Sequence, residues 1–257
     1  MSSRHPRPNT QGPFLPAQLQ IGGDYELSHG HPVYCAPTGG DGSGPNLRGG
    51  FVLDTDPLAA NAGVDLGMQL GEYTMRAPDV AVGAFDEKRG WVKGALPLAV
   101  EYAAAGQDEA DLQERVEDLL AHGVRYVWVV RLVGPRRVEV HERGAAVRTA
   151  LPGQTLAAPG VLQNAVPVEA LYDRDAAHEA ALHNLLQRKG YDSLDGVRAE
   201  GALPTLERQF ARRIARPLTD AERAALRARL TSDGHERVAD AVLDLAPDAL
   251  ADYLAAR

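Results

Sequence analysis

The clearest periodicity in the chain lies between Pro78 and Leu132. Residues 78–85 alternate, with Val80 and Val82 on one side and Asp79, Ala81 and Gly83 on the other, the period-two signature of a strand. Residues 96–103 alternate again: Leu96, Leu98, Val100 and Tyr102 share one face, and Ala99, Glu101 and Ala103 share the other. The run 124–132 (VRYVWVVRL) is apolar on both faces, as a central strand is. Gly134-Pro135 then turns the chain into 136–143, which predicts a hairpin, and 146–150 adds a last short strand. Between the second and third strands, Leu112, Val116, Leu119 and Leu120 form one apolar stripe over 109–122, and Gly123 ends it. A strand, a helix and another strand predict a crossover with a parallel pair. With the hairpin, this gives an α/β fold: a mixed sheet carrying a crossover helix.

Outside that block the signals are of other kinds. Residues 34–50 are dense in glycine but lack the Lys-Ser/Thr ending of a phosphate-binding loop. They are expected to form a long loop, with a short helix or turn over 54–65. Beyond Tyr172 the pattern turns helical over 175–189, 203–215, 238–245 and 247–256, and Thr219-Asp220-Ala221-Glu222 has the form of a capping box. The expected organisation is a disordered lead-in over 1–20, an α/β domain over 21–173 and an all-helical extension over 174–257.

Composition narrows the class. At 257 residues, 44% hydrophobic and 24% charged, the chain matches an ordinary soluble protein able to bury a core. Its single cysteine, Cys35, excludes an internal disulfide and a cysteine-built zinc site, and reads as a small apolar filler. No run approaches the ~20 apolar residues of a membrane span. The first twenty residues have no signal-peptide core, so the cytoplasm is the expected compartment. A formal net charge of -8 argues against non-specific nucleic-acid binding. It leaves room for an enzyme that meets nucleic acid through a local basic patch and bound metal.

Asp79 and Glu101 carry the candidate chemistry. Each stands inside an otherwise apolar strand among small neighbours, and burying two close carboxylates without compensation is expensive. A cation between them resolves this. Mg²⁺ or Mn²⁺ takes oxygen ligands and suits phosphodiester hydrolysis. The competing reading puts Glu101 on a solvated face and Asp79 at a turn after Pro78. Arg115 lies at the margin of the helix stripe, where it can snorkel toward the carboxylates or make a structural ion pair with either. His122, His141 and Trp91 read as structural, while Lys88 and Lys93 flank the loop before the Glu101 strand.

Residues 25–173 resemble the Uma family of restriction-endonuclease-like proteins, within the PD-(D/E)XK nuclease superfamily. The pieces are YELSHG from Tyr25, APTG from Ala36, RAPDVAV from Arg76, PLAVEY from Pro97, the helix DLQERVEDLLAHGV, YVWVV from Tyr126, LPG from Leu151 and VEALYD from Val168. The resemblance implies a metal-dependent nuclease core in which Asp79 and Glu101 hold the metal and Glu26 is an N-terminal acidic site residue. Two departures stand out. Ala103 occupies the position of the superfamily's lysine, and Arg115 occupies the helix position to which that lysine moves in the Uma family. Arginine keeps the charge but cannot act as a base. Ala103-Ala104-Ala105 also replaces the family's Ser-Pro-Ser.

The tail resembles an extension found on some of these bacterial proteins, with Arg208, Arg212 and Arg216 at helical spacing beside Arg213. It reads as a packing or oligomerisation element, which leaves a homodimer open. The combined expectation is a Mg²⁺-dependent endonuclease acting on nucleic acid, DNA before RNA. The alternative is a nuclease fold without catalysis that serves as a binding or assembly module.

Overall fold

Two short strands, β1 (Tyr25–Ser28) and β2 (His31–Tyr34), open the ordered core as a hairpin. The turn residues His29 and Gly30 have φ of 46° and 79°, the left-handed pair that a two-residue type I′ turn needs. Then come α1 (Gly40–Thr55), β3 (Ala62–Val64), β4 (Met68–Gln69), β5 (Met75–Arg76), β6 (Val80–Val82), β7 (Val92–Lys93) and β8 (Leu98–Ala103). After α2 (Glu109–Ala121) come β9 (Tyr126–Arg131), β10 (Arg137–Glu142), β11 (Arg148–Ala150), the pair β12 (Thr155–Leu156) and β13 (Val166–Pro167), and α3 (Arg174–Arg188). The structure, a computed structural model, describes residues 12–19, 24–35, 37, 39–106 and 108–255. Residues 1–11 and 20 of the expected lead-in lie outside that set.

The central sheet has six strands in the order β11-β10-β9-β8-β6-β3. β8 and β9 are parallel, Glu101 beside Val129, and α2 is the crossover between them. β9 and β10 form the predicted antiparallel hairpin. One face presents Val80, Val82, Leu98, Val100, Tyr102, Trp128 and Val130 to Val52 and Leu53 of α1. The other presents Ala81, Ala99, Ala103, Val127 and Val129 to Leu112, Val116 and Leu119 of α2. The small residues on this second face leave room for longer side chains near Glu101. Asp108 caps α2 by accepting from the N–H groups of Ala110 and Asp111. A second sheet, β2-β1-β5-β4-β7, carries Glu26 and Arg76.

The glycine-rich loop expected over 34–50 is corrected: from Gly40 onward it is helix. Glycine lowers intrinsic helicity, but here bare faces are what packing requires. A Cβ on Gly49 would meet the Tyr102 hydroxyl at 1.9 Å, and one on Gly50 would meet Val64 Cγ2 at 3.0 Å. Close approach to the sheet outweighs the propensity, even with Pro45 inside the helix. The helix or turn expected over 54–65 is likewise revised, since α1 stops at Thr55 and residues 62–64 are strand β3.

The chain divides into two units, Met1–Leu185 and Leu186–Arg257. In the second, α4 (Leu194–Arg213), α5 (Asp220–Ser232), α6 (His235–Asp244) and α7 (Pro247–Ala255) surround Leu206, Phe210, Leu226, Val238 and Leu250. The capping box forms as read, with Thr219 and Glu222 bonding each other's backbone N–H. α4 begins before the expected residue 203 and runs through Pro204. The row Arg208, Arg212, Arg216 does not continue along one helix. α4 stops at Arg213, Ala215 has φ of 57°, and Arg216 is held by Glu222 at 2.6 Å. Among the described residues no helix is long and apolar enough to cross a membrane.

Candidate functional site

Asp79 stands at the entry to β6, where Pro78 precedes it and the strand's hydrogen bonding begins. Its two oxygens are separately held: Oδ1 accepts from Asn46 Nδ2 of α1 at 3.0 Å, and Oδ2 accepts from the backbone N–H of Tyr102 at 2.6 Å. Burial raises the Asp79 carboxyl above its usual range, and these two hydrogen bonds and the Arg115 charge oppose that rise.

Glu101 is one residue before Tyr102, on the α2 face of the sheet, and only 5% exposed. Its Oε1 is buried and has no hydrogen-bond partner among the described residues. The nearest cation is the Arg115 guanidinium, with Nη1 at 3.8 Å, beyond hydrogen-bond length. Burial holds the Glu101 carboxyl well above the carboxylate range, Arg115 offsets part of this, and Asp79 and Glu26 add to it. The charge of Asp79 acts on Glu101, and that of Glu26 acts on both carboxyls. Glu101 does not lie on a solvated face.

Glu26, from β1, is 1% exposed and fully engaged. Oε1 accepts from Arg115 Nη1 at 2.8 Å and from the Ala77 backbone N–H at 2.9 Å, while Oε2 meets Arg76 Nη1 at 3.3 Å. Arg115 reaches this cluster from α2, but its hydrogen-bonded ion pair is with Glu26 and not with Asp79 or Glu101, the two carboxylates expected, Glu101 standing 3.8 Å away. The charges of Glu101 and Glu26 raise its pKa further, so it stays protonated.

Behind this pair sits Arg76, 3% exposed, which donates through Nε and Nη2 to Asp118 Oδ2 at 2.9 and 2.5 Å and through Nη2 to Glu114 Oε1 at 3.3 Å. Ser28 donates to the same Glu114 oxygen. His29, Glu114 and Asp118 place ligand atoms within 4.8 Å of one another. In that cluster Arg76 already supplies the positive charge.

Three neighbours were not legible in the sequence. Asn46 sat in what read as a loop. Arg76 stood only as the first residue of the string RAPDVAV, without a role. Asp65 follows β3 with φ of 50° and donates its N–H to the Asp79 carbonyl at 3.2 Å. Burial and then the charges of Asp79 and Glu26 raise its carboxyl, which places a further acid at the edge of the site. In the sequence it stood at the end of the helix or turn expected over 54–65.

The other singled-out residues fall elsewhere. Lys88 is exposed and paired with Asp86 at 2.6 Å, and Lys93 lies exposed on β7. Trp91 packs beside Leu27 and Met75. His122 caps α2, with Nδ1 2.8 Å from the Asp118 carbonyl. His141 is buried in β10, and burial lowers its pKa. Cys35 is partly buried, and burial together with the Glu26 charge pushes its thiol up to about 11, so it is no thiolate.

A family model described as "Putative restriction endonuclease" (Uma2) matches residues 15–169, a span that contains every residue of the site. Among solved structures, a crystal structure described as a "putative nuclease belonging to DUF820" from Anabaena variabilis ATCC 29413 is similar, with a TM-score of 0.51 and 16% identity. The likeness, one of fold, covers 60% of this chain and 90% of that one. No curated protein matches the chain.

Proposed function

Given that the chain belongs to the Uma2 family of restriction-endonuclease type, we propose that it is a divalent-metal-dependent endonuclease hydrolysing phosphodiester bonds, in DNA before RNA. The observation that carries this reading is the buried, unpartnered Oε1 of Glu101 beside Asp79. A buried acceptor without a partner costs about 1–3 kcal/mol, and a fold retains such a cost most readily where function uses it. A hard cation fits this donor set, because oxygen-only sites with carboxylates suit Mg²⁺ or Mn²⁺. Asp79 and Glu101 would hold it. When bound, a divalent cation supplies a Lewis acid for the phosphoryl group and a means of ionising water near neutral pH.

The chain's own residues do the rest. The hydrogen bonds to Asp79 from Asn46 and Tyr102 fix the carboxylate against both α1 and β8. Glu26 acts through Arg115: anchored by Arg76 and Ala77, it aims the guanidinium at the acidic site. Arg115 steadies negative charge developing on the phosphoryl oxygens, and always being charged it takes no part as a base.

The second reading, a nuclease fold that binds without cutting, is favoured by Ala103 at the lysine position and by the commitment of Arg115 to Glu26. Cleavage of supercoiled plasmid, single-stranded DNA and RNA in Mn²⁺, wild type beside E101Q and D79N, separates the two. We expect wild-type cleavage of DNA and none by either variant. Folded wild-type protein that cuts no nucleic acid and binds no Mn²⁺ would retire the nuclease reading in favour of the second.

A further inference from the structure

Asn46 is a poor residue for the middle of a helix, because its short amide competes with the backbone. In α1 it makes no hydrogen bond to its own helix. It is 4% exposed, and its amide nitrogen is spent on Asp79 Oδ1 at 3.0 Å. The other end of the amide, Oδ1, is buried and has no partner among the described residues. Turning the amide over does not relieve this. It would set the amide oxygen against an ionised carboxylate oxygen and strand the nitrogen instead. While Asp79 is charged, the orientation is fixed.

Two buried oxygens therefore lack partners, and both are tied to the same carboxylate. Asn46 Oδ1 belongs to the amide that donates to Asp79 Oδ1. Glu101 Oε1 belongs to the residue preceding the N–H that donates to Asp79 Oδ2. Neither faces a cation within hydrogen-bond length, since Arg115 stands 3.8 Å from Glu101. Hard divalent cations take amide oxygens as well as carboxylates as ligands, so a cation held at Asp79 has two further buried oxygens to draw on, one from α1 and one from β8.

We propose that Asn46 Oδ1 is a third protein oxygen of the cation site, contributed by α1 alongside Asp79 and Glu101. The proposal rests on the metal-dependent reading above and extends it to a residue on a different layer of the fold. It gives the glycine-rich sequence of α1 a purpose. Only a helix lying directly against the sheet, with Gly49 over Tyr102, brings Asn46 to Asp79.

The test reads cation binding and needs no turnover. Mn²⁺ affinity is measured by calorimetry, and europium(III) luminescence lifetimes in H₂O and D₂O count the waters left on the bound ion. Wild type is expected to bind and D79A to fail. Asn46→Ala should bind about tenfold more weakly and carry about one additional water, because solvent takes the place of a lost ligand. Asn46→Asp, nearly the same shape, should keep the wild-type water count and bind more tightly. Asn46→Ala with the wild-type water count, whatever its affinity, would overturn the proposal and leave Asn46 as a donor to Asp79. If Asn46→Ala does not fold, Asn46→Asp decides, and weaker binding than wild type overturns the proposal. A wild type that binds neither ion would instead remove the metal-dependent reading itself.

Discussion

Replacing Glu101 by Gln should make the metal-free protein more stable at neutral pH, the reverse of what most core substitutions do. Glu101 is 5% exposed, its Oε1 has no hydrogen-bond partner among the described residues, and Arg115 at 3.8 Å compensates only in part. Burial holds its folded-state pKa well above the ordinary glutamate range. The native state therefore keeps the proton more tightly than the unfolded chain. Glu101's contribution to stability is intact below about pH 4.5 and is lost as pH rises through the folded pKa. Gln suffers no such loss. Gln keeps an acceptor there but removes the poorly compensated buried charge, whose cost is at least that of an unsatisfied buried group, about 1–3 kcal/mol. E101Q should therefore gain that much at pH 8 in EDTA and nothing at pH 4. For a unit of this size each kcal/mol moves Tm by about 2–4 °C, readable by circular dichroism. Mn²⁺ should then invert the order, because a ligand at a hundredfold excess over its Kd stabilises by about 2.7 kcal/mol, in wild type only. An E101Q variant less stable than wild type at pH 8 in EDTA, or an equal Mn²⁺ shift in both, would refute the reasoning.

Other outcomes follow from the same packing. Arg76→Met should destabilise by about 3–5 kcal/mol in urea titrations, because Asp118 would lose its guanidinium partner in the interior and Glu26 would keep only Arg115. Gly49→Ala should cost at least about 1–3 kcal/mol, since the new methyl meets the Tyr102 hydroxyl at 1.9 Å and that hydroxyl is tied to the Leu171 carbonyl at 2.9 Å. An Ala variant as stable as wild type would mean that α1 does not lie where described. Thr219→Ala should lower the helical unit's stability by about 1 kcal/mol, measured on thermal unfolding of the full chain. Glu222, lowered to about 2 chiefly by Arg216, contributes stability that is full above about 4.5 and is lost as pH falls toward 2. Acid titration of E222Q should be flatter than wild type across that window.

The sequence by itself determined the elements whose reasons are local. Alternation set β6 and β8, a continuous apolar run set β9, Gly134-Pro135 set the hairpin, and one stripe of leucines with valine set α2 and hence the parallel crossover. It also singled out Asp79, Glu101 and Arg115, because charge inside apolar strands, or at a stripe's margin, is conspicuous in a one-dimensional pattern; Glu26 came only from the resemblance to the Uma family. Tertiary structure alone decided α1. Its glycines argue against a helix until Tyr102 and Val64 are in place to need their bare faces, and Asn46 has no meaning until α1 is laid against Asp79. It alone decided the company of Arg76, whose partners at positions 26, 114 and 118 lie on different elements. It also broke the arginine row of the tail at Ala215. Propensity and period are sums over neighbours in the chain. Close approach and charge compensation are sums over neighbours in space, and they acquire values only once the fold has brought those neighbours together.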